Sequence, residues 1–247
     1  MSCYNVLAEL YDMFMEEIDY KAWCRYVEDI FKSCGASPVR VLDIACGTGN
    51  ITIQMSKSGY DVWGLDISTD MLTVAESKAR AEKQKITFLN QDMTKMNLKE
   101  KFGAVLCMCD GVNYINDEEA LKNYFKLVYE RLEERGIFIF DISSYYKIRY
   151  IIGNNTFYEE KNNMHYIWNN SFDEKSETVE MDLIFFIPDN GLYRKFSEYH
   201  IQKAYRSEYL VKLLKSTGFK EVNCFDGFSF NKPDEKSERI FFAALKK

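Results

Sequence analysis

Between Val39 and Asp141, short β-branched apolar runs alternate with segments whose apolar residues recur every three or four positions. Val39–Ala45, Asp61–Leu65, Ile86–Leu89, Ala104–Cys107 and Gly136–Asp141 read as strands. Ile51–Lys57, the stretch from Ser68 through Met71, Leu72, Ala75 and Ala79, and Glu118–Glu133 read as helices. Strands and helices that take turns in this way predict an α/β fold, a parallel sheet with right-handed crossovers.

The flanks follow other patterns. Val6–Phe31 has helical spacing and predicts two helices broken near Glu17–Asp19, ended by Gly35-Ala36-Ser37-Pro38. Phe157–Lys161, His165–Phe172, Thr178–Ile187 and Tyr193–Tyr205 read as strands without intervening helices, an antiparallel β-meander inserted into the α/β unit. Aromatic residues, 15% of the chain, crowd into the part after Tyr145. That enrichment suits strands, or a ring-lined feature. Ser207–Thr217 returns to a helix with Gly218 at its end, and Lys220–Phe225 and Arg239–Leu245 close the chain as strands. The expected division is a helical cap over residues 1–35, a Rossmann-like core over 36–145 and 206–247, and the insert over 146–205.

With 38 acidic against 32 basic residues the formal net charge is -6. That disfavours nucleic acid as a partner, because phosphate binding rests on Lys and Arg. No apolar run approaches the roughly 20 residues that cross a bilayer, so no membrane partner is expected, and the N-terminus has no signal-peptide pattern. The 7 cysteines are scattered, odd in number and form no C-x-x-C pair, which predicts reduced thiols in a cytoplasmic protein. With 2 histidines and no thiol cluster, no metal is expected.

The chemistry concentrates in Val41-Leu-Asp43-Ile-Ala45-Cys46-Gly47-Thr-Gly49-Asn50, between a predicted strand and a predicted helix. Gly47 and Gly49 let the backbone turn sharply and approach a ligand. The helix after them presents free N–H groups. Asp66 and Asp92 close the next two strands, so three acids, with Asp43, surround one glycine loop. Asp66 suits a pair of ribose hydroxyls, and Asp92 an adenine amino group. A pyrophosphate fits these acidic surroundings badly, whereas a sulfonium and an ammonium fit well. Thr52 stands where a dinucleotide fingerprint needs a third small residue, and there is no P-loop.

These motifs resemble those of the class I S-adenosylmethionine-dependent methyltransferases. Asp43-Ile-Ala-Cys-Gly47-Thr-Gly49 is similar to their glycine motif, with Ala45 where most members carry glycine. Gly64-Leu-Asp66-Ile-Ser68 with Met71-Leu72 is similar to the second motif, and Asn90-Gln-Asp92-Met93 to the adenine-binding motif. The resemblance implies a seven-stranded sheet with its last strand antiparallel, and S-adenosyl-L-methionine as cofactor. It implies that Asp66 holds the ribose, that Ile67 and Met71 flank the adenine, and that Asp92 and the Met93 amide read its edge. Ala45, Cys46, Gly47 and Gly49 then face the methionine moiety, and Cys109 and Asp110 pass beside the sulfonium. In related enzymes the N-terminal region closes over the cofactor, which makes Tyr11 and Tyr20 candidate partners of its carboxylate.

Asp110 and Asn113 fall where the acceptor usually meets the methyl group. Glu198, His200 and Gln202 share one strand face, and His200 is a candidate base for an ammonium acceptor. The Glu198–Tyr205 stretch resembles one in the small-molecule branch that includes amino-sugar N-methyltransferases. Asp110, Asn113 and His200 are the catalytic candidates, and Tyr145, Tyr146, Trp168 and Tyr205, with His200, the acceptor-pocket walls. The expected function is methyl transfer to a nitrogen or oxygen of a small molecule, by a monomer or homodimer. A nicotinamide-dependent oxidoreductase and a non-catalytic S-adenosylmethionine-binding protein are the alternatives.

Overall fold

A computed structural model describes residues 11–247. Its elements in chain order are α1 (Tyr20–Ser33), β1 (Arg40–Ile44), α2 (Asn50–Lys57), β2 (Asp61–Asp66), α3 (Thr69–Ala81), β3 (Thr87–Asn90), β4 (Phe102–Cys107), α4 (Glu118–Arg131) and β5 (Leu132–Ser143). Then come β6 (Thr156–Lys161), β7 (Met164–Asp173), β8 (Thr178–Asp189), β9 (Leu192–Lys203), α5 (Ser207–Ser216), β10 (Glu221–Asp226) and β11 (Arg239–Leu245). Of the first expected helix, residues 11–14 are helical and a turn follows at residues 15–17, near the expected break, while its residues 6–10 lie outside the described residues.

Seven strands form one sheet in the order β10-β11-β5-β4-β1-β2-β3. Neighbours from β5 to β3 pair in parallel, and β11 runs antiparallel to both β5 and β10. Alternate side chains bury on opposite faces. Val41, Ala104, Leu106, Ile139, Phe241 and Ala243 pack beneath α1, whose Trp23, Tyr26, Val27, Ile30 and Phe31 form its apolar stripe. Leu42, Ile44, Val105, Phe138, Phe140 and Phe242 pack beneath α4 and α5. Asp19, Ser68 and Asp117 start α1, α3 and α4 by accepting from Ala22 N, Met71 N and Ala120 N.

β6–β9 form a separate antiparallel sheet. Its register aligns Trp168 with Leu183 and Glu198, Asn170 with Met181 and His200, and Phe172 with Val179 and Gln202. Directly paired residues share a face, and this one turns inward, with Phe172, Val179, Met181 and Gln202 buried. His165 lies on the opposite face, with the exposed Tyr158 and Tyr193 on its two ring nitrogens. A π-helical turn, Lys147–Ile152, covers part of the inner face with Ile148 and Ile152. No helix among the described residues is long and apolar enough to cross a membrane.

Candidate active site

β1 delivers the chain into a loop held by three left-handed residues, Ala45 (φ 55°), Gly47 (φ 53°) and Gly49 (φ 77°). A side chain at Gly47 would project into open space, with no atom within 4 Å, so the loop leaves a cradle at that point. At Gly49 a Cβ would meet the Ala75 Cβ of α3 at 3.0 Å, so the backbone packs closely there. Asp66, at the end of β2, accepts from Gly47 N and Ser68 N, both at 2.8 Å, and ties loop to strand. Beside it Ile67 is 71% exposed, an apolar platform at the sheet's carboxyl edge. Met71 and Met93 are half-buried nearby in sequence, at the starts of α3 and of the turn after Asp92. Asp92 accepts from Thr94 N and Thr94 Oγ1 through one oxygen.

A small cavity of about 40 Å³ brings Tyr11, Tyr20, Ala45, Cys46, Gly47 and Cys109 together. Asp12 fastens the segment before α1 to this loop. It accepts from Thr48 Oγ1 at 2.6 Å, Asn50 Nδ2 at 2.8 Å and Lys78 Nζ at 2.7 Å. Phe14 reaches the other way, to Tyr166 and Phe185 of the insert, with ring centres 5.4 and 5.1 Å apart.

Asp43 lies beneath the loop, fully buried, and accepts from Thr52 Oγ1 at 2.6 Å. Burial pushes its carboxyl up to about 7, with the charge of Asp66 adding to the effect. Thr52 thus occupies the third fingerprint position as a donor to Asp43. Burial also raises the Cys46, Cys107 and Cys109 thiols, which keeps them neutral and poorly nucleophilic.

After β4 the chain turns through Cys109 (φ 59°) and Asp110 (φ 54°). Their amides donate to the buried Asp141 at 2.7 and 3.1 Å. Arg239 joins the two acids, 3.1 Å from Asp110 Oδ1 and in contact with Asp141. Gln202 Nε2 donates to Asp110 Oδ2 at 2.9 Å, so β9 of the insert holds the same carboxylate. Burial pushes Asp141 up to about 6, against the pull of Arg239. Next to this clamp, His200 Nε2 lies 2.9 Å from Glu198 Oε2, and its ring stands edge-on to Tyr114, 5.8 Å between centres.

Two sequence-predicted roles are corrected. Asn113 is fully buried and spends its amide on backbone: Nδ2 donates to Ser143 O and Lys203 O, and Oδ1 accepts from Ser143 N. It staples the insert to β5 and has no atom left for an acceptor. Tyr205 is 3% exposed in the main core, its hydroxyl donating to Ile115 O, and is no pocket wall. Trp168 packs on Phe157 within the inner face of the insert. Tyr145 lies under the Arg206 guanidinium at 3.9 Å, and Tyr146 packs by Tyr150. Sequence reasoning missed Asp12, Lys78, Asp141 and Arg239. Asp141 carried one signal, an acid ending a strand at the sheet's carboxyl edge as Asp66 does.

The loop geometry, the acid at the end of β2 and the strand order define a nucleoside-binding α/β enzyme fold. A model of the methyltransferase domain matches residues 41–136. A solved S-adenosylmethionine-dependent methyltransferase of Clostridium acetobutylicum is 36% identical and covers 99% of each chain, with a TM-score of 0.90. A protein of Geobacillus sp. (strain WCH70) classed as a methyltransferase is 34% identical over 98% of this chain and 99% of its own length. A dTDP-3-amino-3,4,6-trideoxy-alpha-D-glucopyranose N,N-dimethyltransferase of Streptomyces venezuelae is 33% identical over 53% of this chain and 55% of its own. The chain belongs to the S-adenosylmethionine-dependent methyltransferases. The nicotinamide alternative is thereby set aside, and the open cradle at Gly47, the carboxylate of Asp66 and the apolar Ile67 fit the adenosyl cofactor.

Proposed function

We propose that the protein methylates a nitrogen of a small-molecule amine. The observation that carries this reading is the Glu198–His200 pair, 2.9 Å apart, on the inner insert face beside Tyr114 and near the clamped Asp110. The glycine loop, Asp66, Ile67, Met71, Asp92 and Met93 would hold the cofactor, with Tyr11 and Tyr20 closing it from the N-terminal side. When bound, S-adenosylmethionine supplies a methyl group on a sulfonium that leaves as a neutral thioether.

An amine arrives at neutral pH as an ammonium and must lose a proton before its lone pair can attack. His200, whose Nε2–H donates to Glu198 Oε2, accepts that proton at Nδ1, and Glu198 stabilises the imidazolium formed. Asp110, fixed by Arg239 and Gln202, offers a carboxylate that orients the nitrogen. Residues 1–35 act as a cap in this reading, and residues 146–205 as the acceptor-binding wall. The Streptomyces relative, named for an amino-sugar acceptor, supports nitrogen over oxygen.

The test is S-adenosylhomocysteine release with matched acceptors, amino compounds against their hydroxyl analogues. Turnover with amines alone supports the reading. Turnover only with hydroxyl compounds sinks it. His200→Ala should lower kcat by about 10²-fold or more, as for loss of a general base, and the deficit should shrink as pH approaches the acceptor's own pKa.

A further inference from the structure

A second cavity, of about 470 Å³, opens between the π-helical turn and the loop that joins β10 to β11. Arg239 reaches it from the Asp110 clamp, so it adjoins the acceptor side of the site. Lys147, the buried Ser237 and the half-buried Asp226 form its wall with Arg239, while Asp234, Lys236 and Glu238 are exposed at the rim.

The cations here differ in what they hold. Arg239 is spent on Asp110 and Asp141. Elsewhere round the site, Lys78 holds Asp12 at 2.7 Å and Lys161 holds Glu16 at 3.1 Å. Lys147 is also half-buried, yet among the described residues no carboxylate lies within 4.0 Å of its Nζ, and the ammonium donates no hydrogen bond. Burial, and then the charge of Arg239, lowers its affinity for a proton, against the more distant pull of Asp110, Glu238 and Asp141. A partly desolvated ammonium without a partner is costly to hold in a fold, and an anion that enters beside it removes the cost. Asp234 does not serve, because its carboxylate closes its own turn by accepting from Lys236 N at 2.8 Å. The acids of the lining, exposed Asp234 and Glu238 and half-buried Asp226, oppose an anion, so only a group that reaches the Lys147 ammonium directly gains from the cavity.

We propose that this cavity is an anion subsite of the acceptor pocket, in which the Lys147 ammonium receives an oxyanion, carboxylate or phosphate, carried by the methyl acceptor. The assignment rests on the methyltransferase reading above and adds a charge class to the acceptor: an amine that also bears one anionic group.

The experiment uses the full chain with its lysines reductively ¹³C-methylated, followed by NMR. The Lys147 resonance is assigned by its absence in Lys147→Arg. Acetate and inorganic phosphate are titrated at constant ionic strength, with chloride as the control. The resonance should move saturably, and its apparent pKa should rise with the anion bound. A stronger response to phosphate assigns a phosphorylated acceptor, and one to acetate a carboxylic one. A resonance that moves with neither beyond the chloride control overturns the proposal, and this readout needs no variant beyond the assignment. In Lys147→Gln the anion should bind at least tenfold more weakly, while S-adenosylhomocysteine binds as to wild type. Failure of S-adenosylhomocysteine to bind wild type would instead strike the methyltransferase reading and leave the anion titration to be judged by itself.

Discussion

At the scale of single residues the site depends on small side chains in strained positions. Ala45 adopts a left-handed conformation that costs an L-residue about 1 kcal/mol relative to glycine. Its Cβ is tolerated because residue 111 has none: a Cβ on Gly111 would lie 3.2 Å from Ala45 Cβ and 2.8 Å from Cys107 Sγ. Gly111→Ala should therefore destabilise the protein by about 1–3 kcal/mol, as overpacking does. Ala45→Gly alone should change stability by at most about 1 kcal/mol. In the double variant Ala45→Gly should recover part of the Gly111→Ala loss, a coupling that denaturant unfolding of the four proteins measures. Strictly additive losses would show that the two positions do not compete for space. Asp66→Ala should weaken S-adenosylhomocysteine about tenfold or more, near 1.4 kcal/mol, because it removes charge-assisted bonds. Equal affinity in a folded variant would rule out the ribose role. The glycine loop and Asp66 stood out in the sequence because glycines and acids at strand ends have a fixed place in an α/β fold, whereas the packing of Gly111 against Ala45 did not. Asn113 was misread for a physical reason. Its position beside the site is right, but an amide with donors and an acceptor serves backbone as readily as ligand, and only the burial tells which.

At the scale of elements, the strands and helices of the core and the insert's meander were legible from periodicity, with ends shifted by a few residues. The π-helical turn Lys147–Ile152 was not, because its rings and isoleucines match neither the 2.0 nor the 3.6 period. The segment before α1 was placed at the cofactor loop by the resemblance alone, and no local pattern gave its contacts. Its anchors, Thr48, Asn50 and Lys78, lie 36, 38 and 66 positions from Asp12. These contacts tie the segment to the cofactor loop. The cavity they help enclose, about 40 Å³, lies at the glycine loop, while Asp66, Ile67 and Asp92 lie outside it. We expect Lys78→Met to release S-adenosylhomocysteine about tenfold faster, a change in lid opening of the kind that gates many enzymes. Stopped-flow displacement reads this directly, and an unchanged dissociation rate would show that the Asp12 contacts do not control exit.

At the scale of the whole molecule, distant parts of the chain meet at charges that no local pattern announces: Arg239 and Asp110 are 129 residues apart, and Gln202 and Asp110 are 92 apart. The same burial gives the fold an unusual dependence on pH. Asp43 is fully buried with its carboxyl pushed up to about 7, and Asp141 with its own pushed up to about 6. Both titrate near 3.9 in an unfolded chain. Between those values the folded state binds more protons than the unfolded one, so stability falls as pH rises. The loss is at most about 1.4 kcal/mol per pH unit for each carboxyl, and it ends once pH has passed the folded value. Acids held low in this protein, such as Asp19, Asp173 and Glu221, act in the opposite direction but are exposed, and their pairing is weakened by solvent. We therefore expect denaturant unfolding to show less stability at pH 7.5 than at pH 5.5. Asp43→Asn should flatten that slope, since the amide oxygen still accepts from Thr52 Oγ1 but no longer ionises. A variant whose stability follows the wild-type slope across that interval would show that Asp43 is ionised throughout, and that the raised carboxyl inferred from its burial is wrong.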